Sequence, residues 1–384
     1  RLSAVAFLAS LVLVYVIGRR ALQLAWGYVL VVVMLTGPLL WYSRNSFAEM
    51  LATAVVLAFI ACVVLRAPPL LVAASLGLAA ATKETAIPFL LVLGFVCARD
   101  SEDGWLPARR WTLALLSGAA IGLVLNVGFN VFRFGELTNA FYLDPNFTTP
   151  GFELKARLFV SLWAAPNGGL LWFWMSACLV LVAAGIVMIR QLGARHDLKG
   201  WLPTAVVLGL AVVNTAGLAS WYAPFGWLAW GPRLSLPLTP AFVVAVVVAG
   251  GSALAAFVGR VLRSALGFLV VAVAVVVFAI PQVAVVWNPG AEAALATLDK
   301  ACPVGAVVQD DPTYYYGCIQ HGAWRTKPLL LWEAARTGSL PARMAELALA
   351  IAVVSLLLLA RRSLTVGPDP PAERKTRQAT SIGA

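Results

Sequence analysis

Three groups of polar residues interrupt the apolar runs of this 384-residue chain, at depths where charge is costly to keep. The first is Trp41-Tyr-Ser-Arg-Asn-Ser-Phe-Ala-Glu49. Arg44 can fork onto a phosphate, and Glu49, one turn on, can bind a sugar hydroxyl or a metal. An interfacial anchor, with Trp41 and Tyr42 in an aromatic belt and Arg44 snorkelling, accounts for Arg44 equally well. Glu49 sits just inside a span and has no comparable structural reason. The second group is Ala81-Thr-Lys-Glu-Thr85. Lys83 can hold a lipid phosphate and Glu84 a metal or a sugar. The plainer alternative is a solvated turn in which the two charges partly neutralise each other. The third is the aromatic stretch Trp221 to Arg233, with Tyr222, Trp227 and Trp230. Its rings can stack on sugar faces or prenyl chains. A belt at the membrane boundary would explain Trp221, Tyr222 and Trp227, but explains Gly231-Pro-Arg233 less easily.

Such groups need scaffolding elements to hold them, and here these are apolar helices. Hydrophobic residues make up 61% of the chain and charged residues 12%, against about 25% charged in a soluble domain. Runs such as Ala205–Ser220, Leu234–Phe257, Ser264–Val286 and Met344–Leu359 are long enough to cross a bilayer. The expected fold is an all-α polytopic membrane protein with about 11 transmembrane helices. Residue 1 is Arg and Leu2–Ile17 already reads as a span, so a start upstream is expected.

The net charge of +11 does not point to nucleic acid. The basic residues cluster at every second loop: Arg19 with Arg20, Arg66, Arg99 with Arg109 and Arg110, Arg190 with Arg195 and Lys199, Arg260 with Arg263, and Arg361 with Arg362. That is the positive-inside pattern, and it fixes orientation, with these loops in the cytoplasm; the expected location is an inner (plasma) membrane, crossed many times. The opposite, external loops are then Tyr42–Ala48, Thr82–Glu84, Arg133–Gly169, Trp221–Arg233 and Trp287–Pro341. All three polar groups fall on that side. Pro69–Ala81 and Thr85–Ala98 lie between two cytoplasmic flanks, so they form a hairpin, spanning or re-entrant.

The expected domain division is a multi-span unit at 1–286, a small external segment at 287–341, a last transmembrane helix at 342–362 and a disordered cytoplasmic tail at 363–384. The external segment reads as α/β, with a short helix at Ala291–Leu298 and strands at Ala306–Gln309 and Tyr314–Ile319. Cys302 and Cys318 both lie in it, on the oxidising side, and are expected to pair. Cys62, Cys97 and Cys178 fall in apolar spans and read as core residues. His196 and His321 fall on opposite sides of the membrane, and no CxxC occurs, so no zinc site is expected.

The stretch Trp227-Leu-Ala-Trp-Gly-Pro-Arg-Leu-Ser-Leu-Pro-Leu-Thr-Pro240 resembles the Gly-Trp-x-x-Gly-Pro-Arg-Tyr-x-x-Pro-x-x-Pro signature of GT-C superfamily membrane glycosyltransferases, relatives of protein O-mannosyltransferases and of the aminoarabinose lipid A transferase. Asn130-Val-Phe-Arg-Phe-Gly135, with Arg133 inside it and Tyr142 after it, resembles their Asn-x-x-Arg-Phe-Gly element. Ser43-Arg-Asn45 with Glu49, and Gly77-Leu-Ala-Ala-Ala-Thr-Lys83, are similar to two further family elements. The likeness covers roughly Tyr42 to Pro240, with four motifs in the family's order on one membrane face.

The resemblance implies sugar transfer from a polyprenyl-phosphate donor to a hydroxyl of a protein, glycan or lipid acceptor, at the external face and with inversion. Arg44, Lys83, Asn130, Arg133, Tyr142, Tyr222, Trp230 and Arg233 would bind substrate, with Lys83 and Arg233 as the leading leaving-group cations. Glu49 and Glu84 would support catalysis. Some relatives use a divalent metal and others do not, so no cofactor is assigned. The family's usual base is an Asp in the first external loop, and that loop would lie upstream of residue 1. A transporter or flippase of a lipid-linked substrate is the main rival. It predicts paired charges in mid-span and an internal repeat, and neither is seen. A catalytically inactive membrane scaffold is the second.

Overall fold

The computed structural model describes residues 1–44, 48–99, 107–139, 148–149, 151–165, 168–194, 198–221, 224, 233–287 and 339–365. Among them the chain is helical, without a strand beyond one isolated bridge between Thr148 and Trp221. Seven helices are long and apolar enough to cross a membrane: α1 (Leu2–Ile17, with the π-turn that follows it), α7 (Arg109–Phe134), α10 (Met175–Ala194), α11 (Leu198–Ala219), α12 (Thr239–Arg263), α13 (Ala265–Trp287) and α14 (Leu340–Thr365). Four more are apolar but shorter: α2 (Leu24–Leu35), α4 (Ala48–Val64), α5 (Pro69–Thr82) and α6 (Ile87–Ala98). Between these lie the single turn α3 (Leu39–Tyr42), the amphipathic α8 (Phe152–Ala164) and the short α9 (Leu170–Phe173). The multi-pass, all-helical architecture expected from composition is therefore present. The expected α/β segment, Cys302 and Cys318, Tyr142, Tyr222, Trp230 and the tail lie outside the described residues.

Helix α12 is the centre of the bundle. Every residue from Thr239 to Val247 is buried, as a helix without a polar face must be when it packs on all sides. The helix bends at Gly251, whose φ of 47° and ψ of −135° suit a residue without a Cβ. By contrast α14 and α7 turn most of their apolar surface outward, with Leu347 and Phe132 62% and 88% exposed. In water such a surface would drive aggregation, whereas a lipid environment accommodates it.

One contact positions the functional end more than any other. Helices α5 and α7 run parallel, and α7 offers a stripe at four-residue spacing: Gly118, Gly122, Asn126 and Asn130. A Cβ on Gly118 would lie 2.7 Å from the Ala73 carbonyl oxygen, and one on Gly122 would lie 2.3 Å from the Ala80 Cβ. Only glycine permits this approach, which is how apolar helices gain packing where hydrophobic exclusion is weak. Further along, Asn126 Nδ2 donates to the Ala80 carbonyl at 2.9 Å. The stripe ends with Asn130 beside Glu84.

The hairpin of α5 and α6 closes at its other end through Arg66. Its Nη1 donates to the Ala98 carbonyl at 2.6 Å, and its guanidinium lies 5.6 Å from the Trp111 ring centroid. The two basic flanks of the hairpin therefore sit together, with Lys83 and Glu84 at the tip. Arginines gather at the same far end elsewhere. Arg361 donates to the Arg263 carbonyl at 3.0 Å, and Arg190 lies over Phe257. The bundle thus has an arginine end and, opposite it, the tip end.

Candidate functional site

The tip end brings together residues from three distant parts of the chain. Glu49 stands in the first turn of α4. Arg233 opens a 3-10 turn, Arg233–Ser235, that leads into α12. Its Nε donates to Glu49 Oε1 at 2.6 Å, with the two side chains 23% and 13% exposed. Lys83 is the extended residue between α5 and the 3-10 turn Glu84–Ala86. Its Nζ donates to the Leu234 carbonyl at 2.8 Å. So Lys83 and Arg233 meet around one short turn, and Glu49 is the acid between them.

Geometry sets the electrostatics. Burial pushes the Lys83 ammonium down from 10.5 to about 8; Glu49 partly opposes this and Arg233 adds to it. Among the described residues two cations act on one carboxylate, which leaves one positive charge in excess there. The spare donors of Lys83 and the excess charge suit an anion with several oxygens. Glu49 Oε2 is buried and has no hydrogen-bond partner among the described residues. A buried carboxylate oxygen left open costs stability, and such exceptions often mark sites that take a ligand.

Glu84 follows Lys83 in sequence but faces elsewhere. Its Oε2 accepts a hydrogen bond from Asn130 Nδ2 at 3.0 Å, and Asn130 is only 5% exposed. Glu84 therefore anchors the tip to α7, and the charges that act on Lys83 come from Glu49 and Arg233. Arg133, three residues beyond Asn130, points away. It is exposed, over Phe134 at 5.0 Å and Phe129 at 6.0 Å. Arg44 is exposed after α3 and joins no part of this group. Of the expected site residues, the structure thus unites Glu49, Lys83 and Arg233 directly, adds Glu84 with Asn130 as a neighbouring brace, and leaves Arg44 and Arg133 outside.

Two participants are not singled out in the sequence. The Leu234 carbonyl is a backbone group, invisible to any side-chain pattern. Asn126 could have been found, because it continues the four-residue stripe of Gly118 and Gly122. Comparisons with family models, with curated proteins and with solved structures find no match to this chain.

The loops that surround the tip are also tied together. Thr149 N donates to the Ser220 carbonyl at 2.9 Å, and Thr149 Oγ1 to the Trp221 carbonyl at 3.0 Å. The segment after α7 is thereby fixed to the end of α11. A narrow cleft opens nearby between α8, α11 and α12, lined by Trp163, Asn214, Thr215, Ser235, Thr239 and Phe242 among others. Its free volume of about 30 Å³ admits water but no sugar ring. Among the described residues no three His, Cys, Asp or Glu side chains converge. Glu49 and Glu84 would need donors from elsewhere to hold a divalent ion.

Proposed function

We propose that this chain is a membrane glycosyltransferase that moves a sugar from a polyprenyl-phosphate donor to a hydroxyl of a protein, glycan or lipid acceptor at the external face. The supporting observation is the convergence of Lys83 and Arg233 on one turn beside Glu49. A lipid phosphate presents its anion at the membrane boundary. Water is scarce there, and opposite charges attract more strongly than in bulk. Arg233 can bond two phosphate oxygens at once, while Lys83 adds a point charge. As the bond between the anomeric carbon and the phosphate oxygen breaks, negative charge grows on that oxygen, and these cations stabilise it.

On this reading the four shorter helices α2, α4, α5 and α6 also cross the bilayer, giving eleven crossings. A bundle crossed that often alternates correctly, with the arginine end cytoplasmic and the tip end outside. At 1.5 Å per residue the 17 residues of α4 span roughly 25 Å and the 12 of α2 or α6 roughly 18 Å, so the shorter helices cross a hydrocarbon core of about 30 Å only together with the turns that flank them. The membrane is then a cell's inner (plasma) membrane, and 287–341 is a small external segment. The described parts of the motifs that resemble the GT-C superfamily include Glu49, Lys83, Asn130 and Arg233 at or beside the tip end, which is where a lipid-linked donor would be met.

The test is transfer from radiolabelled polyprenyl-phosphate monosaccharides by the purified protein and by its Lys83→Ala and Arg233→Lys variants. Both variants are expected to lose transfer by far more than they lose yield or monodispersity. Arg233→Lys keeps the charge but not the paired bonds, so a strong loss there speaks for phosphate binding. Turnover close to that of the unaltered protein in both variants would mean that the two cations only anchor their helices.

A further inference from the structure

Glu49 is doubly unusual. One oxygen neutralises a cation that the proposed donor needs, and the other is buried and open. We propose that Glu49, and not the upstream Asp that the family resemblance implies, is the proton acceptor of the transfer, and that the donor's phosphate arms it by drawing Arg233 away. This rests on the glycosyltransferase reading and goes beyond it, because that reading needs only the two cations.

The argument starts from competition. In the structure Arg233 Nε is bound to Glu49 Oε1. A phosphate arriving at Lys83 presents several unesterified oxygens to the two cations at once, whereas Glu49 bonds Arg233 through Oε1 alone, with Nε as the donor. The phosphate therefore offers Arg233 the stronger partner, and a guanidinium can turn its fork to a new pair of oxygens. Glu49 would then stand beside the phosphate with both oxygens open. Its Oε2 is buried and has no hydrogen-bond partner among the described residues, so few waters reach it. A ligand group that can satisfy a carboxylate there is a hydroxyl, which donates a single proton. The acceptor's hydroxyl is such a group, and it must approach the anomeric carbon next to the phosphate.

The step balances as follows. The acceptor oxygen forms its bond to the anomeric carbon and loses its proton to Glu49. The bond from that carbon to the phosphate oxygen breaks, and its electron pair leaves with polyprenyl phosphate, held by Lys83 and Arg233. Glu49 then returns the proton to water when the products leave and Arg233 swings back. Glu84 is a poorer candidate for this role, because its carboxylate is engaged by the buried Asn130 amide.

The ordering makes an unusual demand: loss of the charge on Glu49 must affect binding and turnover in opposite directions. Glu49→Gln keeps the shape and an oxygen for Arg233 but removes the competing charge and the proton acceptor. Binding of decaprenyl phosphate to the purified protein in nanodiscs is expected to tighten severalfold in this variant. Transfer is expected to fall by about 100-fold or more, the usual worth of a general base. Glu49→Asp, which keeps a carboxylate, is expected to retain a measurable part of that transfer, and both variants are checked for monodispersity. If Glu49→Gln weakens carrier binding in step with transfer, Glu49 merely positions Arg233 and the proposal fails. It fails equally if Glu49→Gln transfers at the normal rate. A failure of the unaltered protein to bind decaprenyl phosphate at all would instead refute the glycosyltransferase reading on which the proposal stands.

Discussion

Raising the pH through 8 should release a polyprenyl phosphate from this protein, and the cause is one side chain. Burial lowers the Lys83 ammonium to about 8, with Glu49 opposing the shift and Arg233 adding to it. With that value, about 90% of the protein carries the charge at pH 7 and about 10% at pH 9, from the ordinary titration curve. If only the charged form binds the carrier phosphate, affinity falls about tenfold over those two units, and linkage requires the bound phosphate to raise the Lys83 value in turn. The phosphate itself does not confuse the result, since its second ionisation, near 6, is nearly complete by pH 7. Stability moves the other way. The unfolded chain holds the Lys83 proton up to about 10.5, so between about 8 and 10.5 this group makes the folded state more stable as pH rises. Loss of binding in that window therefore does not come from unfolding at Lys83. The assay is equilibrium binding of decaprenyl phosphate from pH 7 to 9.5, with Lys83→Arg as the control, since a guanidinium stays charged throughout. A flat profile for the unaltered protein, or the same decline in Lys83→Arg, would refute the assignment of Lys83 to the phosphate.

Two structural predictions accompany this one. Gly122→Ala should destabilise by about 1–3 kcal/mol, because the new Cβ meets the rigid Ala80 Cβ and not a flexible side-chain end; thermal aggregation in detergent should show the loss, while Gly128→Ala, with nothing within 4 Å, should not. Cys302 and Cys318 should form a disulfide worth about 3 kcal/mol in the chain-entropy model, and a mass spectrum of the unreduced protein with both thiols free would count against it.

Much of the architecture was readable from the residues because lipid enforces it. A charge in hydrocarbon is expensive, so arginines fall at span ends and their alternation states which end each loop belongs to. The pairing of Arg66 with the Ala98 carbonyl bears out the hairpin that its flanks required. Depth is therefore legible. The angle around the bundle is not, because every span is apolar on nearly all sides and its sequence has no face to declare. Glu49 and Arg233 are 184 residues apart. Both could be placed at the tip end from the sequence, but nothing in it says that α4 and the turn before α12 are neighbours there.

The same reasoning explains why sequence adjacency misled at two places. Lys83 and Glu84 are consecutive, and the charges looked like a pair. The chain is extended at Lys83 and enters a 3-10 turn at Glu84, so the two side chains diverge: one reaches the Leu234 carbonyl, the other the Asn130 amide. Asn130 and Arg133 belong to one motif and stand only about 60° apart around α7, yet Asn130 meets Glu84 while Arg133 lies over Phe129 and Phe134. The stripe of Gly118, Gly122 and Asn126 already says which of them faces α5, since only one continues its four-residue spacing. What separates the site from its surroundings is thus the packing of two parallel helices at glycine distance. That contact delivers Asn130 to Glu84, leaves Lys83 to the turn before α12, and so concentrates two cations and one carboxylate where a lipid phosphate would arrive.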